Sequence, residues 1–331
     1  MRLLDCIAQS RAPFLVEQMN GVVWRLRSAC DFAAQLTTCP LRYVLSDELT
    51  RTCAALAYSE GHQLADCIDL LRIPAERLWV EWSDTVRRDE FLRTAPGGIA
   101  DAARPDVLRA GVLIRAARSG RSGMMTTFWT VRDQPMDPFV AALETHFDFD
   151  GSLSDPGGLT ALFGASTGST AAGLTDGRDA IQKFIRYRLE RTWLDYYQQH
   201  VLSDENRTRV LRDSLATVAG DLPLLLALSL LFATRGGLPA TPSSLAALNA
   251  KRRRLGKPPL LEHVEISAPV FAEAAARTDS ANSSWRRGPR LHHVRGHLVR
   301  REDVVYWRAP HWRGHVRLGR VRSRNVALKL M

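Results

Sequence analysis

The 331-residue sequence predicts an α+β fold with a mixed N-terminal domain, a helical middle and a small basic C-terminal module rich in β-hairpins. Runs of aromatic and β-branched residues near both ends predict strands. Helical periodicity dominates between them. A stretch with seven Gly and eight Ser or Thr, residues 151–177, predicts a linker or long loop. The predicted divisions are therefore 1–150, 178–256 and 257–331, with the linker between the first two.

Residues 1–73 predict helices, and the rest of the N-terminal domain predicts strands. Ser46 is suited to cap a helix over residues 47–58, because acids follow in its first turn. Residues 77–82 contain aromatic and β-branched side chains, which predicts a strand. Residues 108–133 contain two strand-like runs around a Ser/Gly-rich turn, which predicts a hairpin.

A further strand is predicted from Glu144 to Asp150, where apolar and polar residues alternate. Phe147 and Phe149 share one face. The other face carries Glu144, His146, Asp148 and Asp150. We interpret these four as the solvent-facing side of a half-buried strand. The alternative is a Mg²⁺ or Mn²⁺ site, because carboxylates and imidazole bind such ions; we expect no metal and no cofactor.

The middle segment predicts helices. Apolar residues recur every four positions, at Ile181, Ile185, Leu189, Trp193 and Tyr197. Two more helices are predicted over 206–219 and 223–233. A last helix begins at Ser243 or Ser244 and ends at Gly256. The run Lys251–Arg254 favours the dipole at that helix's C-terminus and, as an alternative, extends a basic surface. A strand is predicted over 260–266.

The charge of the chain lies almost entirely in its last forty-seven residues. Residues 285–331 carry thirteen Lys or Arg against two acids, whereas 1–284 carry 32 basic and 33 acidic groups. This segregation predicts an anionic partner, either RNA or DNA. The longest apolar run, 222–233, is too short for a bilayer, so no membrane partner is expected. Five cysteines without a paired C-x-x-C motif are typical of buried reduced thiols in a cytoplasmic protein.

The basic segment contains the pentapeptide His-x-Arg-Gly-His twice, at 293–297 and 311–315. A three-residue turn centred on Glu302 would place His293 opposite His311, with the histidines and arginines on one face. Arginine beside histidine disfavours a metal ion and favours phosphate, because guanidinium binds phosphate through two hydrogen bonds. An indole nearby can stack on a base of the same nucleic acid. The predicted contacts are Arg295, Arg313, His293, His297 and His311, with Trp307 or Trp312 stacking.

Two other interpretations of the basic segment remain open. His293, His297 and His311 are candidates for the general acid and base of a metal-independent nuclease. The hairpin can also be basic without any specific chemistry. A G-x-S-x-G match at 164–168 lies in the predicted linker, where it does not indicate a hydrolase.

Several short motifs resemble a group of uncharacterised proteins from phages, prophages and their bacterial hosts. These motifs are Leu248-Asn249-Ala250-Lys251-Arg252, Gly256-Lys257-Pro258-Pro259-Leu260, the paired histidine-arginine tail, and Ile73-Pro74 followed by Trp79-Val80-Glu81-Trp82. The resemblance implies a mobile-element context and assigns no functional residue. It adds a third functional class, a phage structural or assembly protein whose tail contacts packaged DNA, a phage particle or a protein partner.

Overall fold

A computed structural model provides the structure of the chain. It forms two compact units, Met1–Ala268 (unit 1) and Pro269–Met331 (unit 2). The structure describes residues 1–10, 14–19, 22–27, 29–59, 64, 66–94, 107–151, 184–189, 218–234, 237–268, 290–294, 297–301, 304–308, 311–313 and 315–320.

Unit 1 is built on a mixed sheet of ten strands. The strands are β1 (Phe14–Met19), β2 (Val22–Arg27), β3 (Leu41–Leu45), β4 (Arg77–Ser83), β5 (Val107–Ala116), β6 (Ser122–Val131), β7 (Gln134–Asp148), β8 (Ile185–Leu189), β9 (Ala240–Pro242) and β10 (Val264–Ile266). Their order is β2-β1-β7-β6-β5-β4-β3-β10-β9, and β8 also pairs with β7. Strands β4 to β7 run antiparallel, whereas β3 is parallel to both β4 and β10.

The helices of unit 1 cover both faces of this sheet. They are α1 (Leu3–Gln9), α2 (Ala29–Thr37), α3 (Asp47–Ser59), α4 (Asp84–Thr94), α5 (Asp221–Ala233) and α6 (Ala246–Arg254). Strand β4 is buried at five consecutive positions, 78–82, because side chains on both of its faces meet helices.

One face of the sheet packs against α1 and α2. Leu3, Leu4 and Ile7 of α1 join Phe32 and Leu36 of α2 in a core cluster with strand residues from β3 to β7. The Phe32 and Phe128 rings meet edge to face at 4.9 Å. This arrangement removes the apolar sides of both short helices from water.

The opposite face packs against α3, α4 and α5. Thr127 precedes Phe128 on β6 and therefore points the other way, and its hydroxyl donates to Asp221 of α5 at 2.9 Å. Helices α3 and α4 meet through Tyr58 and Phe91, whose rings are 4.8 Å apart. Helix α5 is apolar on all sides and is buried along most of its length, as expected for a helix inside a core.

The prediction that residues 1–73 are helical is wrong, because β1, β2 and β3 lie within that range. Most other sequence predictions for unit 1 are confirmed. The helix over 47–58 is α3, with the Leu49 N–H within 3.2 Å of the Ser46 Oγ. The strand over 77–82 and the hairpin over 108–133 are β4 and the β5–β6 pair. The helices over 223–233 and before Gly256 are α5 and α6. Cys6, Cys39, Cys53 and Cys67 are buried free thiols, as predicted.

The helix predicted along Ile181 to Tyr197 is wrong where the structure describes it. Residues 185–189 form β8, which pairs antiparallel with β7. The sequence Ile-Arg-Tyr-Arg-Leu alternates as well as repeating every four residues, and pairing with β7 selects the strand. The predicted Ser cap of α6 is also wrong, because no side chain caps this helix. The Ser243 Oγ instead accepts the N–H of His263 at 2.9 Å.

The compact units do not follow the predicted divisions. Strand β8 pairs with β7, α5 contacts α3, and β10 pairs with β3, so sequence on both sides of 151–177 belongs to unit 1. Except for Gly151, the predicted linker lies outside the described residues. Residues 206–217 of the helix predicted over 206–219 also lie outside them. The basic module begins at Pro269 and not at 257, because β10 belongs to the large sheet.

Unit 2 consists of short strands in its described part. They are β11 (Arg290–Val294), β12 (His297–Arg301), β13 (Val304–Arg308), β14 (His311–Arg313) and β15 (His315–Arg320). Strand β11 pairs with β14 and β15, and β12 pairs with β13.

Candidate functional sites

The two His-x-Arg-Gly-His pentapeptides meet in the predicted antiparallel arrangement, but their register differs by one residue. His293 pairs with Trp312, and His311 pairs with Val294. The β12–β13 ladder has the same offset and closes at Arg301 and Val304. Two residues, and not the predicted three, separate the last paired positions. The predicted pairing of His293 with His311 is therefore wrong, because one residue fewer in the turn shifts the whole ladder.

The two faces of the β12–β13 hairpin differ in burial, and each carries both apolar and charged side chains. Leu298 and Val305 are buried, and half-buried Trp307 lies directly opposite Leu298 on the same face. The other face carries exposed Arg301 and Arg308. Trp307 thus belongs to the more buried face, which also carries exposed Arg300, and not to the face of Arg301 and Arg308, here called the cationic face.

Tyr306 is the aromatic side chain on the cationic face of this hairpin. It is half-buried and lies two residues from Arg308 along β13, so both point the same way. Sequence reasoning overlooked Tyr306 because the register that assigned the faces was off by one. With the shifted register, the same alternation identifies it.

The other predicted contacts are placed less completely. Arg313 is exposed on β14. His293, His297, His311 and Trp312 have defined strand positions, and Arg295 lies outside the described residues. The G-x-S-x-G match at 164–168 also lies outside them.

The polar residues of β7 are not a solvent-facing strand surface, contrary to the prediction. Asp148 is buried, and its carboxylate accepts the N–H of Asp150 at 2.9 Å. The Glu144 side chain is 12% exposed and lies 3.4 Å from the guanidinium of Arg115. Asp150, beyond the strand end, contacts Arg121 at 2.6 Å. Arginines from neighbouring strands and turns balance this face, and no cluster of metal-ligating side chains is found among the described residues.

His146 lies in this same group and is held neutral. Burial lowers its pKa from the usual 6.5 to about 4, and the positive charges of Arg188 and Arg115 act in the same direction. The imidazole of His146 is therefore neutral throughout the physiological pH range, so it does not serve as a proton donor at neutral pH. Phe147 and Phe149 on the apolar face stack at 5.0 Å, as the alternation predicted.

A polar cleft in unit 1 was not predicted. It has a volume of about 600 Å³ and lies where the start of α1 meets β9, β10 and the segment leading to α6. Its ionisable lining residues are Arg2, Asp5, Arg109, His263 and Glu265, and hydroxyls come from Thr241, Ser243 and Ser244. Because Arg2 and Glu265 are 263 positions apart in sequence, no local pattern could have grouped these residues.

The charges around the cleft are largely paired with one another. Arg2 contacts Glu265, and Arg109 contacts the buried carboxylate of Glu81. Burial raises the pKa of Asp5, while a hydrogen bond from the Leu261 N–H acts against this rise. The Nη2 of Arg109 is buried and finds no hydrogen-bond partner in the described part of the chain. The cleft can offer several hydroxyls to a small polar ligand.

Glu81 connects this cleft to the core. It lies on β4 with no exposed surface, and its two carboxylate oxygens accept the N–H groups of Leu3 at 2.9 Å and Leu4 at 3.0 Å. These are the first amides of α1, which have no partner within the helix. A negative charge at a helix N-terminus is also favoured by the helix dipole. Glu81 therefore fixes the position of α1.

No family model, curated protein or solved structure matches the chain. Within the described residues, no helix is both long and apolar enough to cross a membrane. The candidate sites are thus judged on their own chemistry.

Proposed function

We propose that the protein binds nucleic acid through unit 2. The observation that supports this most directly is the coincidence of the unit boundary with the charge boundary. Unit 2 carries fourteen Lys or Arg against four acids, a net charge of +10, whereas unit 1 carries 31 of each sign. The whole net charge of the protein therefore belongs to one compact unit.

The exposed arginines of unit 2 supply the contact. Arg301, Arg308 and Arg313 are exposed, and guanidinium groups bind phosphate through two parallel hydrogen bonds. Tyr306 offers a ring on the face that carries Arg301 and Arg308, where a base can stack. His293, His297, His311, Trp312 and Arg295 remain further candidate contacts in the same proposal.

The test is a salt titration of binding to labelled duplex DNA, single-stranded DNA and single-stranded RNA. The variant is Arg301→Gln with Arg308→Gln and Arg313→Gln in the full chain. A plot of log affinity against log salt for duplex DNA has a negative slope. Its magnitude should decrease by about 0.9 for each arginine that binds a phosphate in the parent. A control with the same charge change is Arg51→Gln with Arg118→Gln and Arg132→Gln, at exposed positions of unit 1.

The control should keep the slope of the parent, because its charges lie outside unit 2. Equal reductions in both variants would mean that net charge alone attracts the polyanion, and the proposal would fail. Comparing the three ligands identifies whether RNA or DNA is preferred.

The nuclease alternative predicts a different outcome. Cleavage of the labelled strands, with and without Mg²⁺, should be lost in His293→Ala and His311→Ala while binding stays unchanged, and the rate should be bell-shaped in pH. The register does not pair these histidines directly, so we propose binding and not cleavage. A phage structural or assembly role, the third alternative, predicts that the protein co-purifies with particles.

A further inference from the structure

A second cationic feature lies in unit 1, on the segment that joins β9 to β10. Residues 251–257, here called the basic tip, comprise the last turn of α6 and the loop after it. Four of their side chains are exposed cations: Lys251, Arg253, Arg254 and Lys257. Unit 1 as a whole is electrically neutral, so this is a local excess of positive charge.

The backbone of the basic tip is fixed by two side-chain clamps. Asn249 is buried, and its amide both donates to the Leu260 carbonyl at 3.0 Å and accepts the Leu260 N–H at 2.8 Å. The Arg252 Nε donates to the Pro258 carbonyl at 2.8 Å. The loop is thereby folded back along its own helix.

The helix end is also defined. Gly256 has φ +65°, a conformation that glycine adopts without a steric penalty at a helix C-terminus. The Gly256 N–H bonds the Arg253 carbonyl at 3.0 Å, and the Lys257 N–H bonds the Arg252 carbonyl at 2.9 Å. The basic tip therefore presents its exposed cations from a preorganised backbone.

Among the described residues of unit 1, no side-chain contact gives these four cations a role in stabilising the fold. Elsewhere in the unit, Arg2, Arg87, Arg93, Arg109, Arg115 and Arg121 each contact a carboxylate. Within the described part of the chain, the side chains of Lys251, Arg253, Arg254 and Lys257 make no hydrogen bond or ion pair. Attraction to the helix dipole favours a cation in the last turn but does not require four of them.

Apolar side chains accompany the cations. Leu248 is 44% exposed and Leu255 is 60% exposed. Both lie on the side of α6 that carries Lys251, because positions 248, 251 and 255 follow helical spacing. Exposed leucines beside cations are suited to pack against sugars or bases once phosphates are held.

We propose that the basic tip is a second nucleic-acid contact, which binds backbone phosphates. The inference rests on the proposed function for its class of partner, but it concerns a different unit and different residues. Guanidinium and ammonium groups on a fixed backbone bind phosphate without the entropic cost of ordering the loop.

The test is a variant with Lys251→Gln, Arg253→Gln, Arg254→Gln and Lys257→Gln in the full chain, since glutamine preserves helix propensity. The slope of log affinity against log salt for duplex DNA should fall by up to about 3.6, or about 0.9 for each cation that binds a phosphate. The matched control replaces four exposed arginines of unit 1, Arg51, Arg72, Arg118 and Arg132, with glutamine. Circular dichroism should show the same helix content in both.

The outcomes separate this inference from the proposed function. If the tip variant binds DNA with the same salt dependence as its control, the inference is overturned. Weaker binding by the variant at Arg301, Arg308 and Arg313 would still support the proposed function of unit 2. If the tip variant binds more weakly than its control and the unit 2 variant binds like the parent, the inference is upheld and the proposed function fails. Vesicles containing phosphatidylserine are a further ligand. If the parent binds these through the tip and binds no nucleic acid, the tip is a membrane contact and the inference is overturned.

Discussion

The position of α1 depends on one buried carboxylate, and this dependence can be measured. Glu81→Gln keeps the size of the side chain but replaces one oxygen by an NH₂ group. That group cannot accept the N–H of Leu3 or Leu4, which now bond the carboxylate at 2.9 and 3.0 Å. The substitution also removes the negative charge that faces the guanidinium of Arg109.

The size of the effect follows from these contacts. Losing one charge-assisted hydrogen bond costs about 1.5–3 kcal/mol. Removing one partner of a fully buried ion pair costs about 3–5 kcal/mol, but Arg109 is 24% exposed and water reaches its charge, which lowers that figure. We therefore expect the free energy of unfolding to fall by about 3 kcal/mol.

Urea unfolding followed by circular dichroism measures this change, and Glu48→Gln is the control because Glu48 is exposed on α3. The control should stay within about 0.5 kcal/mol of the parent. Adding Arg109→Gln to Glu81→Gln should cost less than the two single changes together, because no unpaired charge remains. Amide exchange should speed up at Leu3 and Leu4. A destabilisation below about 1 kcal/mol with unchanged exchange at these amides would refute the assignment of Glu81 as the cap.

Three further predictions concern the sheet and its turns. Burial lowers the pKa of His146 to about 4 in the folded state, below the unfolded value of 6.5. Between pH 6.5 and 4 only the unfolded state gains a proton, so the free energy of unfolding should fall as the pH is lowered through this range. His146→Gln should flatten this part of the pH profile in urea unfolding. Arg121→Ala should destabilise by about 2–3 kcal/mol, because the guanidinium donates to three backbone carbonyls, whereas Asp150→Asn should cost less than about 1 kcal/mol at its exposed position. Gly111→Ala should lower the thermal midpoint, because the new Cβ would lie 2.6 Å from the Trp79 ring.

Local patterns predicted the elements of unit 1 whose partners lie nearby in sequence. The cap at Ser46 and the hairpin around residues 117–121 depend on neighbouring residues, so the sequence there determines the structure. The segment 185–189 carries both helical and strand periodicity, and pairing with the distant strand β7 decides between them. Local reasoning cannot weigh a partner at that distance.

The candidate sites show the same division. Charge segregation along the chain anticipated the cationic character of unit 2, since net charge needs no knowledge of the fold. The facing residues were not predictable, because a turn shorter by one residue exchanges Trp307 for Tyr306 on the charged face. The cleft beside Arg109 depends on residues from both ends of unit 1 and required the tertiary structure.

The motif around α6 shows how much a charge run leaves undetermined. Lys251, Arg252, Arg253 and Arg254 are equivalent in sequence as cations at a helix end. In the structure Arg252 differs from the others, because it bonds the Pro258 carbonyl and the Gln9 side chain. Together with Asn249 it holds the loop, and the remaining cations face solvent. Helix-end electrostatics therefore explains one part of the run and the clamp explains another, while the exposed cations are the residues for which we propose a nucleic-acid contact.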